Sequence, residues 1–324
     1  MEQQLQRPSR VIIILAFLAI YIIWGTTYLA IRFGLTGMKP FVLNSLRYGL
    51  AAIILFTWCG VRKLTFPNRK NTKVLIISGL LMLVGGTGLV VTGEQYINSG
   101  ATAIIIATEP LMFLLLDKKN YKAYSPATFI GMLLGFTGIY IFSRFTSTNT
   151  DALSVGTANI ARGTILVLIS ALFWVLGTLY LGRAKDNKGA PLANAAWQHV
   201  AGAVGCILIA AFRGDWSTFH PAQVPAAAWG GLAWLLIMGT LVAFLAFMFL
   251  VRVQPPAIVS THTYVNPIVA VIAGGILANE HIGGPQLLAL VMVLLGVLLV
   301  QAPKMKRLSL FTRRSPRPGC EPGT

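Results

Sequence analysis

Acidic residues are scarce: the chain carries 9 Asp and Glu among 324 residues, and only 11% of its residues are charged. A soluble domain is usually about a quarter charged, because its surface must be wetted. Water therefore cannot be the only solvent of this chain. Cysteine is scarce as well. Cys59, Cys206 and Cys320 are scattered and odd in number, with two inside apolar runs. That excludes a disulfide framework or a cysteine metal site. There are four histidines, and neither His199 nor His262 has a second His or a carboxylate at i, i+4, so no metal and no cofactor is expected. A GxxxxGK[ST] loop is missing, which excludes ATP as the direct drive. No nucleophile, base and orienting group stand at catalytic spacing, which argues against an intramembrane enzyme.

What the chain has in abundance is apolar sequence. Hydrophobic residues make up 56% of it and the mean hydropathy is +0.72. A helix needs roughly 20 apolar residues to cross a bilayer core. Ten such runs are readable: 11–33, 40–60, 73–92, 98–116, 126–143, 161–181, 191–212, 226–250, 256–278 and 284–301. None alternates as a barrel strand would, so helices are expected, with every backbone group bonded inside its own segment. The first run is too long for a signal-peptide core and lacks a convincing cleavage site, so it reads as a retained helix.

Taken alone, the net charge of +17 points to nucleic acid as a partner. The basic residues instead sit in short clusters between apolar runs, as cytoplasmic loops require, and no nucleic-acid-reading motif accompanies them. With the N-terminus inside, the 26 Lys and Arg fall on the cytoplasmic side except for Arg32, Lys39, Arg144, Arg162 and Arg213 outside and Arg47 within a span. This asymmetry predicts an N-in, C-in protein of ten spans in a cell membrane, most simply a bacterial inner membrane. The tail, 302–324, is basic and rich in Pro and Gly, and is expected to be disordered against anionic lipid.

The polar link around Ser147 to Asn159 divides the chain into two halves of five runs, 11–143 and 161–301. The halves resemble each other. Gly25-Thr26-Thr27-Tyr28-Leu29 in the first run matches Gly177-Thr178-Leu179-Tyr180-Leu181 in the sixth. Thr108-Glu109-Pro110 in the fourth matches Val265-Asn266-Pro267 in the ninth, and nearly equal spacings lead on to Gly138 and Gly296. A unit with an odd number of spans enters the membrane from opposite sides in its two copies. The expected fold is thus all-α and integral to the membrane: ten transmembrane helices as two inverted five-helix repeats, with a site where they meet near the midplane.

The ordered series of residues resembles the drug/metabolite transporter superfamily, of the EamA type. The resemblance covers about residues 11 to 301. It rests on Trp24-Gly25-Thr26-Thr27-Tyr28, on Pro40 with Arg47-Tyr48 and Ala51-Ala52, and on Glu94-Gln95-Tyr96 before Ser99-Gly100-Ala101. In the second half it rests on Asn266-Pro267, Asn279-Glu280 and the run from Gly283 to Val300. The resemblance implies ten helices around a central cavity and efflux of amino acids, related metabolites or toxic compounds. Glu109 departs from it, standing where a small or hydroxyl residue is usual.

Ionisable groups inside a span cost about 2.5–3.5 kcal/mol on insertion scales and usually face a cavity or a partner. Arg47 lies about 10 Å and Glu109 about 15 Å from the outer ends of their spans at 1.5 Å per residue. They are expected either to pair as a static bridge or to line a cavity together. Glu109 is also the candidate for proton coupling, since a carboxyl at mid-membrane is stripped of water, which can bring its proton exchange into a working range. His199, beside Gln198 and Trp197, and His262, one turn before Asn266, are candidates for hydrogen bonds to a substrate or for polar contacts between helices. Trp24, Tyr28, Trp174 and Tyr180 are candidates for a cavity wall or for core packing. Pro110 and Pro267 are candidate helix breaks, or simple kinks. Gly79, Gly85, Gly86 and Gly88 read as close-packing positions. The expected function is a secondary transporter, monomer or homodimer, exporting small metabolites by alternating access. A multidrug exporter is the alternative, and a channel or enzyme fits less well.

Overall fold

A computed structural model describes residues 9–116, 126–145, 157–184, 189–254, 259, 261–278, 283–285, 287–296 and 298–299. The tail 302–324, the cluster Asp117 to Lys122, Asn279, Glu280 and most of the link between the halves lie outside the described residues.

All regular structure among the described residues is helical. The helices are α1 (Arg10–Leu35), α2 (Pro40–Val61), α3 (Arg69–Gly93), α4 (Ser99–Ile106) and α5 (Glu109–Leu116) in the first half, followed by α6 (Pro126–Phe145). The second half supplies α7 (Thr157–Leu181), α8 (Pro191–Phe212), α9 (Ala226–Val253), α10 (His262–Ala278) and α11 (Leu287–Gly296). Their starts are written in the sequence. Asn68 and Asn98 cap α3 and α4, each side chain accepting from the backbone N–H three residues on. Pro40 and Pro191 open α2 and α8 at the position where a missing N–H costs nothing. Gly214, at φ +67°, turns the chain after α8 in the left-handed region that glycine enters without strain.

Six of these helices, α1, α2, α3, α7, α8 and α9, are long and apolar enough to cross a membrane. Four shorter apolar stretches, Ser99–Phe113, Phe129–Ile141, Val265–Ala278 and Leu287–Gly296, occupy the other runs. Large apolar side chains such as Val61, Leu133, Phe212 and Ile276 lie open on the surface, with Phe212 94% exposed. A soluble protein does not carry apolar patches on this scale, whereas a lipid-facing surface does. The run at 98–116 is two helices rather than one: the chain turns at Ala107 and Thr108, and Glu109 begins a new helix.

The halves interlock. α2 packs along α8, α7 along α3, and the start of α9 along α1. A Cβ on Gly79 would lie 2.7 Å from the backbone oxygen of Gln198 in α8, and one on Gly231 would lie 2.5 Å from that of Ala30 in α1. At both crossings only glycine lets the backbones come this close. Three spans contain π-helical segments, Ala19–Ile23 in α1, Leu80–Thr87 in α3 and Leu235–Phe244 in α9. Such widened turns are frequent at functional sites.

Candidate functional site

Two buried apolar clusters, one containing Tyr28 and Ile106 and the other Tyr48, Leu83 and Phe244, leave a chamber between them. The chamber has a volume of about 90 Å³. Trp24, Tyr28, Arg47 and Glu109 line it from the first half. Trp174, His199, His262 and Asn266 line it from the second. These eight binding candidates therefore reach one wall, whereas Tyr180, the fourth aromatic candidate, lies outside the lining and packs against the Arg183 guanidinium, 4.7 Å from its ring centre.

Arg47 leaves α2 a third of the way along and is 7% exposed. Its Nε donates to Thr240 Oγ1 at 2.7 Å, and Thr240 in turn donates to the Leu235 carbonyl at 3.0 Å, five residues back in the π-helical turn. The guanidinium lies against Gly239, where a Cβ would stand 3.2 Å from Nη2, and its carbon is 5.2 Å from the centre of the Tyr48 ring. Glu109, also 7% exposed, stands at the first position of α5. No ion pair joins it to Arg47, and no described side chain donates a hydrogen bond to its carboxylate. The chamber thus holds a guanidinium and a carboxyl that do not pair with each other.

The imidazoles are oriented by backbone. His199 Nδ1 faces the Ala195 carbonyl at 2.8 Å and His262 Nδ1 faces that of Val259 at 2.9 Å. A backbone carbonyl only accepts, so each Nδ1 carries the proton and each Nε2 presents a lone pair in the neutral ring. His199 Nε2 is buried without a partner among the described residues, and the ring lies between Tyr48 and Phe244 at 5.7 and 4.9 Å. Asn266 ties helices together. With its amide nitrogen turned to the carbonyls, it donates to Tyr21 and Ile20 in the π-helical turn of α1 and to His262. Gln198 points away from the chamber and donates to Ser78 at 3.0 Å. Pro110 is the second residue of α5, after the turn, while Pro267 lies inside α10. No group of three His, Cys, Asp or Glu that could hold a metal ion occurs among the described residues.

The EamA-like transporter family matches this chain twice, over residues 11–144 and 161–302. The chain belongs to that family. Among similar proteins is an uncharacterized inner membrane transporter, YedA, of Escherichia coli K12, 29% identical over 89% of this chain and 90% of its own length. An uncharacterized transporter of Synechocystis, sll0355, is 24% identical over 91% and 92%. Another, YoaV of Bacillus subtilis, is 24% identical over 93% and 98%. A solved crystal structure shares the fold, with a TM-score of 0.62 over 93% of this chain and 99% of its own, at 16% identity. Family, relatives and lipid-facing helices together make this a multi-pass protein of a bacterial inner membrane.

In this EamA-like transporter a second, larger chamber of about 490 Å³ adjoins the first. Its wall is mainly apolar, with Phe113, Leu179, Phe247 and Met248, and carries Asn194 and Arg252. Glu109, Trp174 and His262 border both chambers. The partition is aromatic. Trp24 meets Trp174 at 5.9 Å, Phe247 at 5.1 Å and His262 at 5.0 Å between ring centres, and its Nε1 donates to the Gly239 carbonyl at 3.3 Å. Sequence reasoning missed Thr87 and Thr240, which line the central chamber from the π-helical turns of α3 and α9. Each hydroxyl bonds the carbonyl five residues back, at 3.5 and 3.0 Å. A signal existed. Gly86-Thr87 and Gly239-Thr240 are separated, within one residue, by the offset that separates Gly25 from Gly177.

Proposed function

We propose that this chain is a secondary transporter that exports small polar or amphipathic metabolites, amino acids among them, by alternating access. In this reading ten spans form two inverted five-helix halves with both termini in the cytoplasm, and the eight chamber residues contact the substrate. The observation that carries it is that Arg47 and Glu109 share a buried wall without pairing. A static bridge that only held helices together would have paired them, whereas a guanidinium and a carboxyl left free of each other on one buried wall suit a polar solute.

The second chamber is bordered by the ends of α7 and α9 and the starts of α3 and α8, which the basic-residue asymmetry puts on the cytoplasmic side. It serves as the inner vestibule. The aromatic partition of Trp24, Trp174, Phe247 and His262 closes the path from there to the centre, and Glu109, facing both chambers, is the proton-coupling group.

Counterflow in proteoliposomes with a labelled panel of amino acids and related metabolites tests this. Saturable exchange is expected. Flux that rises linearly with concentration would mean a channel. Exchange confined to bulky lipophilic compounds would assign the protein to drug export, for which the apolar vestibule is the supporting feature.

A further inference from the structure

We propose that Arg47 is an oriented receptor for an oxyanion, and that Thr240, from the other half of the chain, is the residue that aims it; the transported compound then carries a carboxylate or a comparable acidic group. This rests on the carrier reading above and narrows its substrate.

A guanidinium has five N–H donors in a planar fork. Here one of them, Nε–H, is spent on Thr240 Oγ1. Thr240 is not free to turn, because its own proton is held by the Leu235 carbonyl. Gly239 lies against the group, since a Cβ there would stand 3.2 Å from Nη2 and 3.0 Å from Thr27 Cγ2, closer than ordinary contact. The Tyr48 ring limits movement on another side. With the inner edge fixed, the two Nη nitrogens form the remaining edge. No described residue accepts a hydrogen bond from them, and the side chain borders the chamber. Two parallel N–H donors on one edge match the two oxygens of a carboxylate. Glu109, the carboxyl that shares the chamber lining, does not take the place.

The π-helical turn is part of the device. It carries Gly239 and Thr240 on one wall, the first as a flat seat and the second as a hydroxyl facing the seat's occupant. Lysine cannot replace Arg47 in this role. It would keep the charge but lose the fork and the Nε contact that sets the angle.

The test uses the purified full-length protein. Thermal stabilisation is read with pairs of compounds that differ only in a carboxylate and its primary amide, together with the matching amines. Carboxylates are expected to stabilise the wild type and their amides to fail. Arg47→Lys should weaken carboxylate binding roughly tenfold or more, the scale of a lost charge-assisted hydrogen bond. Thr240→Val should weaken it by several fold, and Thr240→Ser, which keeps the hydroxyl, should restore it. A role for Thr240 in holding α2 to α9 alone would lower the melting temperature of Thr240→Val without changing the preference for carboxylate over amide. Equal binding of acid and amide, binding confined to amines, or an Arg47→Lys protein with undiminished carboxylate affinity would each overturn the proposal. Counterflow separates the two readings. Saturable exchange of compounds without an acidic group leaves the carrier standing and removes the receptor. Carboxylate binding that depends on Arg47 but supports no exchange does the reverse.

Discussion

Gly230 and Gly231 are neighbours in α9 with opposite surroundings, and replacing each with alanine isolates the cost of the α1–α9 crossing. A Cβ on Gly230 meets nothing within 4 Å. A Cβ on Gly231 would stand 2.5 Å from the Ala30 carbonyl oxygen and 2.8 Å from the Gly34 amide nitrogen. Both are backbone atoms and cannot swing aside. To reach ordinary contact distance the helices must part by about 1 Å. Two hydrogen bonds cross that interface, Trp234 Nε1 to Thr26 Oγ1 at 3.0 Å and Trp24 Nε1 to the Gly239 carbonyl at 3.3 Å, and such a shift strains both. Overpacking costs about 1–3 kcal/mol and each lost bond about 1 kcal/mol, so Gly231→Ala should destabilise by about 2–5 kcal/mol. Gly230→Ala should be neutral or stabilising by up to about 1 kcal/mol, because alanine favours the helix. Equilibrium unfolding in mixed micelles, followed by tryptophan fluorescence, measures the difference. Two variants of equal stability would refute the account of how α9 is seated, and with it the seat of Gly239 and Thr240 under Arg47.

Glu109→Gln should remove the pH dependence of counterflow. A variant whose rate still follows pH as the wild type's does would exclude Glu109 as the coupling group. Asp215, 3% exposed, pairs with Lys39 at 3.4 Å and Arg213 at 3.3 Å, but those partners are nearly half exposed, so Asp215→Asn should cost only about 1 kcal/mol in thermal stability and less at high salt. A loss that salt leaves unchanged would mean that the buried carboxylate has another role. With the native cysteines replaced, an impermeant thiol reagent on intact cells should label Ser217→Cys and spare Lys63→Cys. The opposite pattern would reverse the orientation, and equal labelling would break the ten-span count.

Hydropathy located the apolar runs because lipid contact demands continuous apolar sequence, whatever the local helix geometry. For the same reason it could not see the turn at Ala107 and Thr108. Both residues are compatible with an unbroken helix, and the signal there is the following Pro110 rather than a dip in hydrophobicity. The π-helical segments were equally hidden, since one extra residue per turn leaves composition unchanged. Charge was the clearest guide to the chamber: Arg47 and Glu109 stand out in an apolar background for a physical reason, the cost of burying them. Thr87 and Thr240 did not stand out, because threonine is common in membrane helices and its hydroxyl bonds its own backbone. Gln198 illustrates the converse. It is as polar as His199 beside it, yet one residue of rotation turns it onto α3 and away from the chamber.

The same helices suggest how a repeated fold obtains an asymmetric site. α2 and α8 each begin at a proline, Pro40 and Pro191. Counting equal steps from them puts Arg47 opposite Gln198 and Tyr48 opposite His199. The second pair meets directly, ring to ring at 5.7 Å. The first pair diverges, Arg47 reaching Thr240 in α9 and Gln198 reaching Ser78 in α3, the third helical span of the opposite half in each case. The backbone slot is thus repeated while the charge is not. Under the proposed carrier reading, a substrate with distinct ends needs that difference, and a single arginine in one of two matching slots supplies it without disturbing the packing of α2 against α8. Exchanging the pair, Arg47→Gln with Gln198→Arg, should leave a protein that folds but has lost acid binding at the chamber, because the second slot opens onto Ser78 and the α3 crossing at Gly79. Acid binding retained at wild-type strength would mean that the slots, and not the arginine's own seat, determine the receptor.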